Sequence, residues 1–328
     1  MRKIGSALVA ALLAMTAPAD ARDWSLALHG GAGIIERGQF APGEEESIRK
    51  TLADALAIGS AILSGGGTAV DAVEATVRAL EASPHFNAGV GAALTSAGTA
   101  ELDAAIMDGR DRRAAAVTGV TTTQSPIALA RRLMDTGPHV FLAGSAADGF
   151  ARAQGLPQVP NAHFITPARR KMLDEMQKEG PTAAFDLHLR FGTVGAVALD
   201  QAGNLAAATS TGGLTGKAPG RIGDSPIIGA GTIAENGVCA VSATGSGEIF
   251  IRARAAGQIC DRIRFGRQSA PAAAKAVIAD IGSLGGDGGV ILLDGRGRVH
   301  FAMNSPGMYR AAATSRSAPE IKIFADER

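Results

Sequence analysis

Aromatic side chains are scarce here, and neither sign of charge prevails. One Trp, one Tyr and eleven Phe make up 4% of the 328 residues, too few for platforms on which nucleic-acid bases stack. The 32 Lys and Arg are matched by 31 Asp and Glu, with no basic stripe to track a phosphate backbone. Nucleic acid is therefore set aside in favour of a small-molecule or peptide substrate. The six histidines show no H-E-x-x-H and no paired metal-ligand spacing. No G-x-S-x-G elbow accompanies "HGGAG" (His29–Gly33), which alone resembles a lipase-type oxyanion loop. "GGLTGK" lacks both the spacing and the Ser or Thr of a phosphate loop, because Ala218 follows Lys217. No dinucleotide fingerprint links a strand to a helix, so the chemistry calls for no cofactor.

What is abundant is glycine, 43 residues without a collagen-like period, as expected of many tight turns and a site built from backbone. Residues 1–21 read as an export signal: Arg2 and Lys3, an apolar run from Ile4 to Met15, then a small-residue cleavage site at Ala19-Asp20-Ala21. That run is too short to span a membrane as a helix, and nothing later approaches a span. Its removal takes away Arg2, Lys3 and Asp20 and leaves acids and bases equal in number. The expected location is outside the cytoplasm, in a periplasm. Export permits a disulfide between Cys239 and Cys260, the only two cysteines, but sequence does not fix their geometry and buried free thiols fit equally well.

Along the mature chain, "WSLALHGGAG" reads as a strand entering a glycine turn. Helical periodicity follows over 44–63 and 69–82, with Thr68 as N-cap of the second. Two more helices are expected in "SPIALARRLMDTG" and "GSAADGFARAQG". Residues 152–192, dotted with prolines and charge, read as a flexible linker holding at most a surface helix. Beyond it come a hairpin ("TVGAVALD" and "LAAATST"), the strand "GVCAVSATGSGE", helices over about 248–264 and 271–281, and a second hairpin ("GGVILLD" and "VHFAMNS"). Strands apolar on both faces need cover on both sides. The expected fold class is α/β in the α+β layered sense: two stacked, mainly antiparallel sheets between helix layers.

Polar residues gather at the strand ends of the C-terminal half: Thr193, Thr211, Arg221, Asp224 and Thr244. Each alone has an ordinary explanation, as a strand threonine or a loop brace. Together, "GTVGAVALDQAGNLAAATSTGGLTGKAPGRIGDSPIIGAG" and "SATGSGE" resemble the plant-type asparaginases, or isoaspartyl peptidases, which are N-terminal-nucleophile hydrolases. "LALHGGAG", "GTAVDAVEATVRALE", "FNAGVGAALT", "ELDAAIMDG" and "NSPGMYR" extend the resemblance over nearly the whole mature chain.

The resemblance implies an αββα sandwich and self-cleavage between Gly192 and Thr193, giving an α chain (22–192) and a β chain (193–328) that together form one domain. It implies Thr193 as nucleophile, Thr211 positioning and activating it, and Thr244 with Gly245 as the oxyanion hole. Arg221 and Asp224, with Gly245 and Gly247, would bind the substrate's carboxylate and ammonium groups. Asn87 would support the cleavage. A loop holding Na⁺ through main-chain carbonyls of Leu80, Glu81, Ser83, Phe86, Ala88 and Val90 is also implied. Expected substrates are isoaspartyl dipeptides and L-asparagine, and the expected assembly is an (αβ)2 heterotetramer. Glycosylasparaginases share the fold but usually place Asp before the nucleophile, where this chain has Gly192. An inactive exported amino-acid-binding protein would need neither Gly192-Thr193 nor Thr244-Gly245. One departure is Ile233, where an aromatic is expected near the pocket.

Overall fold

Alternation alone does not build the central strands, which are buried on both faces. A computed structural model describes residues 23–179 and 192–327. The expected export signal and residues 180–191 of the expected linker lie outside the described residues. Strands β1 (Ser25–Gly33), β5 (Val194–Leu199) and β6 (Leu205–Thr211) are buried at every position. They form the middle of an eight-stranded sheet in the order β12-β11-β1-β5-β6-β2-β3-β4. Its remaining members are β2 (Leu102–Asp108), β3 (Ala114–Val120), β4 (Phe141–Ala143), β11 (Gly307–Thr314) and β12 (Ser317–Phe324). Among the described strands of this sheet, only β3 and β4 pair in parallel. A second sheet orders β10 (Val299–Met303), β9 (Gly288–Asp294), β8 (Cys239–Gly245) and β7 (Thr232–Glu235), all antiparallel.

Small side chains let the two sheets stack. Ala27, Ala207, Ala234 and Ala240 meet Val197, Leu205, Ile291 and Leu293 in the layer between them. On the outer face of the large sheet lie α1 (Glu44–Ser64), α2 (Ala69–Glu81) and α3 (Pro126–Thr136) over a core of Leu, Val and Phe. The small sheet is covered by α6 (Gly247–Ala253), α7 (Ala255–Arg264) and α8 (Ala270–Ser283). The result is the αββα layering. As read from sequence, Thr68 caps α2: its Oγ1 accepts the Asp71 N–H at 3.1 Å, a contact typically worth about 1 kcal/mol.

Three features differ from or resolve the reading of the sequence. The single helix expected over 248–264 is two, because Arg254 adopts a left-handed φ of 49° between α6 and α7. Between α4 (Gly144–Ala153) and the undescribed stretch, the expected linker contains a 3-10 turn at Asn161–Phe164 and α5 (Pro167–Glu179). Helix α5 buries Met172 and Leu173, rests Met176 over Gly216, and ties Arg170 and Gln177 to the Gly98 and Ser96 carbonyls. Cys239 on β8 and Cys260 on α7 form a disulfide, with Cα atoms 5.8 Å apart, which decides between the two readings left open.

Candidate active site

Strand register brings the first two threonines together. Val194 pairs with Ser210 and Gly195 with Thr209, so the residue before β5, Thr193, meets the end of β6 at Thr211. The Thr193 hydroxyl donates to Thr211 Oγ1 at 3.0 Å, and the same oxygen accepts the Gly213 N–H at 3.0 Å. Ser225 Oγ stands 3.4 Å from Thr193 Oγ1. Sequence reasoning passed over Ser225, although it directly follows Asp224.

The other sheet supplies Thr244 from the end of β8, and its Oγ1 accepts the Ala32 N–H at 3.3 Å. Gly192 is wedged between that hydroxyl and the turn of "HGGAG". A Cβ built on Gly192 would lie 2.5 Å from Thr244 Oγ1 and 2.6 Å from the Gly31 Cα. Only glycine fits there. Gly31, with φ 114°, faces Gly192 in return, so the motif dismissed as a lipase-type loop walls the Gly192–Thr193 bond. Gly245, with φ 143°, sits against the Asp287 carbonyl where a side chain has no room.

Asn87 lies on the loop after α2 and reaches the turn that follows Thr211. Its Nδ2 donates to the Gly213 carbonyl at 2.6 Å, and its Oδ1 accepts the Ala93 N–H at 2.7 Å. This loop also carries the residues expected to hold Na⁺. The Val90 N–H closes on the Glu81 carbonyl at 2.8 Å. Gly89 and Gly91, both at positive φ, press against the carbonyls of Glu81, Pro84 and Phe86. A cradle of main-chain oxygens that glycine keeps open fits a hard cation. Among the described residues no cluster of His, Cys, Asp or Glu offers a metal site of side chains.

Arg221 and Asp224 stand side by side. A Cβ on Gly247 would lie 2.9 Å from Arg221 Nη2 and 3.1 Å from Asp224 Oδ1, so Gly247 borders both. Asp224 is buried, and among the described residues its Oδ2 has no hydrogen-bond partner. Burial pushes its carboxyl up to about 7, against the attraction of Arg221. Arg221 Nε and Nη2 donate to Glu248 Oε1 and Oε2 at 2.8 and 2.7 Å, a contact not foreseen from the motifs.

Beneath Thr193 runs a buried polar chain that was also missed. His29 Nε2 lies 2.9 Å from Ser242 Oγ, which lies 2.7 Å from Thr209 Oγ1. Thr232 Oγ1 donates to Thr209 Oγ1 at 2.5 Å and contacts the Ser225 carbonyl at 3.0 Å. Burial lowers the His29 imidazole to about 3, so it is neutral at any working pH. The chain pins the two sheets to each other under the nucleophile. Ile233, by contrast, packs partly buried in the hydrophobic layers on either side of β7.

The arrangement joins a hydroxyl held by a second hydroxyl, a glycine-flanked polar wall, and an Arg221–Asp224 pair linked to the nucleophile through Ser225, which follows Asp224 and stands 3.4 Å from Thr193 Oγ1. Such a set can present a nucleophile to a carbonyl while reading a zwitterion beside it. The comparisons agree with that chemistry. A family model described as "Asparaginase" matches residues 22–323. An isoaspartyl peptidase of Salmonella typhimurium is 45% identical over 306 residues, covering 91% of this chain and 98% of that protein. An isoaspartyl peptidase of Escherichia coli is 44% identical over 309 residues, covering 92% and 96%. An isoaspartyl peptidase/L-asparaginase of Rattus norvegicus is 43% identical over 292 residues, covering 89% and 84%. By sequence and by the layered fold that carries these residues, the chain belongs to the asparaginase family of N-terminal-nucleophile hydrolases.

Proposed function

We propose that this chain is a β-aspartyl peptidase with L-asparaginase activity that becomes active by cutting itself between Gly192 and Thr193. The observation that carries the reading is the Thr193 hydroxyl hydrogen-bonded to Thr211 and 3.4 Å from Ser225, the residue that follows Asp224 of the Arg221–Asp224 pair. The names of the relatives, isoaspartyl peptidase and isoaspartyl peptidase/L-asparaginase, fit the same substrates.

In the uncut chain, Thr193 Oγ1 attacks the Gly192 carbonyl and its proton passes to the departing Thr193 nitrogen. Water then hydrolyses the ester, freeing the Gly192 carboxylate and restoring the Thr193 hydroxyl beside the amine released in the shift. Asn87, bonded to the Gly213 carbonyl, braces the turn that holds Thr211 during this step. Once N-terminal, the Thr193 amine, with an ordinary pKa of ~7.7–8.0, serves as the base for its own hydroxyl.

In turnover, Arg221 binds the substrate's α-carboxylate and Asp224 its α-ammonium, which leaves the side-chain amide carbonyl to face Thr193. Attack forms a tetrahedral oxyanion held by Thr244 and the Gly245 N–H, and losing one such donor costs on the order of 3–4 kcal/mol of barrier. Collapse expels ammonia or the peptide amine with a proton from the Thr193 ammonium. Water attacks the β-aspartyl ester with the amine as base and releases aspartate. Carbonyls of Leu80, Glu81, Ser83, Phe86, Ala88 and Val90 would hold Na⁺, which would supply rigidity to the Asn87 loop and take no part in bond making. Export through residues 1–21 and assembly of cut protomers as (αβ)2 complete the proposal.

The test is the intact mass of purified protein under denaturing conditions. Chains starting at Arg22 and Thr193, with Thr193→Ala left as one chain, are the expected result. One uncut wild-type chain after prolonged incubation removes the amine base and with it the mechanism. Sedimentation of the same sample in native buffer reports the assembly.

A further inference from the structure

A guanidinium offers two ways to take a carboxylate in a fork: the side made by Nε and one Nη, and the end made by the two Nη atoms. In this protein the side of Arg221 is filled. Glu248, from the first turn of α6, takes Nε at 2.8 Å and Nη2 at 2.7 Å. The end is bordered by residues without side chains: a Cβ on Gly223 would lie 2.9 Å from Nη1, and one on Gly247 2.9 Å from Nη2. Gly247 also borders Asp224 Oδ1, so the end of the fork and the acid share one wall.

The Glu248 side chain is 57% exposed and that of Arg221 15%. An ion pair so open to water adds little to stability. Its geometric effect is larger, because a two-point contact fixes the plane of a long, otherwise rotatable side chain. Glu248 sits on the solvent side and leaves the glycine-lined side for a ligand.

We propose that Glu248 is a positioning residue for the substrate carboxylate: it holds the Nε–Nη2 side of Arg221 and so aims the Nη1–Nη2 end at the substrate beside Asp224. The inference rests on the asparaginase reading given above and extends it. A substrate carboxylate then docks without displacing Glu248. The opposite arrangement, in which Glu248 occupies the carboxylate site and must leave, makes the opposite kinetic prediction.

Processed wild type, Glu248→Ala, Glu248→Gln and Glu248→Asp are compared on L-asparagine and on 3-aminopropanamide, which is asparagine without its carboxylate. Mass spectrometry of the cut chains shows that each variant has folded, and the isosteric Gln variant serves should Ala fail to cut. The expected result is a KM for asparagine raised about tenfold in Ala and Gln, kcat kept within about twofold, and partial rescue by Asp. kcat/KM for 3-aminopropanamide stays as in wild type. An unchanged or lowered KM for asparagine overturns the proposal, as does an equal loss on both amides. Wild type inactive on every amide defeats the asparaginase reading instead. Calorimetric binding of L-aspartate then decides the role of Glu248 alone: weaker binding by the Ala variant upholds it, and equal, tighter or no wild-type binding overturns it.

Discussion

Asp224 is held at a cost that its expected task explains. Its carboxyl is buried and lifted to about 7, while an unfolded chain ionises it near ~3.9. The folded protein therefore binds this proton more tightly, so ionising Asp224 opposes folding, increasingly as pH rises from about 4 toward 7. Asp224→Asn should raise Tm by a few degrees near pH 8 and leave it unchanged near pH 4, measured by calorimetry. The same substitution should abolish asparagine hydrolysis, since a neutral amide no longer answers the substrate ammonium. In wild type, kcat/KM should fall below about pH 7 as Asp224 protonates beside Arg221 and Glu248, in addition to protonation of the Thr193 amine. At this scale the sequence was legible in part. Thr193, Thr211, Arg221 and Asp224 stood out together because they share one long motif. Ser225, His29 and Glu248 did not, because their significance lies in contacts between segments far apart in the chain, such as the 213 positions separating His29 from Ser242.

Turns and strand ends decide how the site is walled. Gly31 combines a φ of 114° with a Cβ position 2.5 Å from the Gly192 backbone. Gly31→Ala should strain that turn by about 1–3 kcal/mol and push Gly192 from its place against Thr244. Self-cleavage, followed by mass against time, should slow severely while the helices keep their circular dichroism. Uncut accumulation with native helicity supports the wedge, and cleavage at the wild-type rate refutes it. The hairpin of β5 and β6 was readable because two strand-like runs flank a short turn. Strands β2 and β3 escaped notice because "LDAAIMD" and "AAAVTGV" are alanine-rich, and burial rather than propensity makes them strands. Helix α5 was undervalued for a related reason: its charge conceals Met172, Leu173 and Met176, a narrow apolar face that docks on loops distant in sequence.

Layering of the whole molecule was foreseeable from strands apolar on both faces, whereas the order of strands was not, since it depends on which segments pair. That order has a consequence for the proposed cleavage. Numbering the large sheet from its β12 edge, the first two strands come from after residue 193, the third from before it, the next two from after it and the last three from before it. Both cysteines lie after residue 193, so their disulfide ties β8 to α7 and joins nothing across the cut. Under the proposed cleavage the two polypeptides would be interleaved with no disulfide between them, and neither could leave without tearing the sheet between β11 and β1, between β1 and β5 and between β6 and β2. Denaturing an enzyme cut in this way would turn a folding problem for one chain into a search of one chain for another. Recovery of activity after dilution from denaturant should rise with protein concentration for the cut enzyme and be independent of it for uncut Thr193→Ala, whose refolding fluorescence reports the comparison. On that proposal, maturation trades reversible folding for persistence, and the cut enzyme would endure by the slowness of its unfolding.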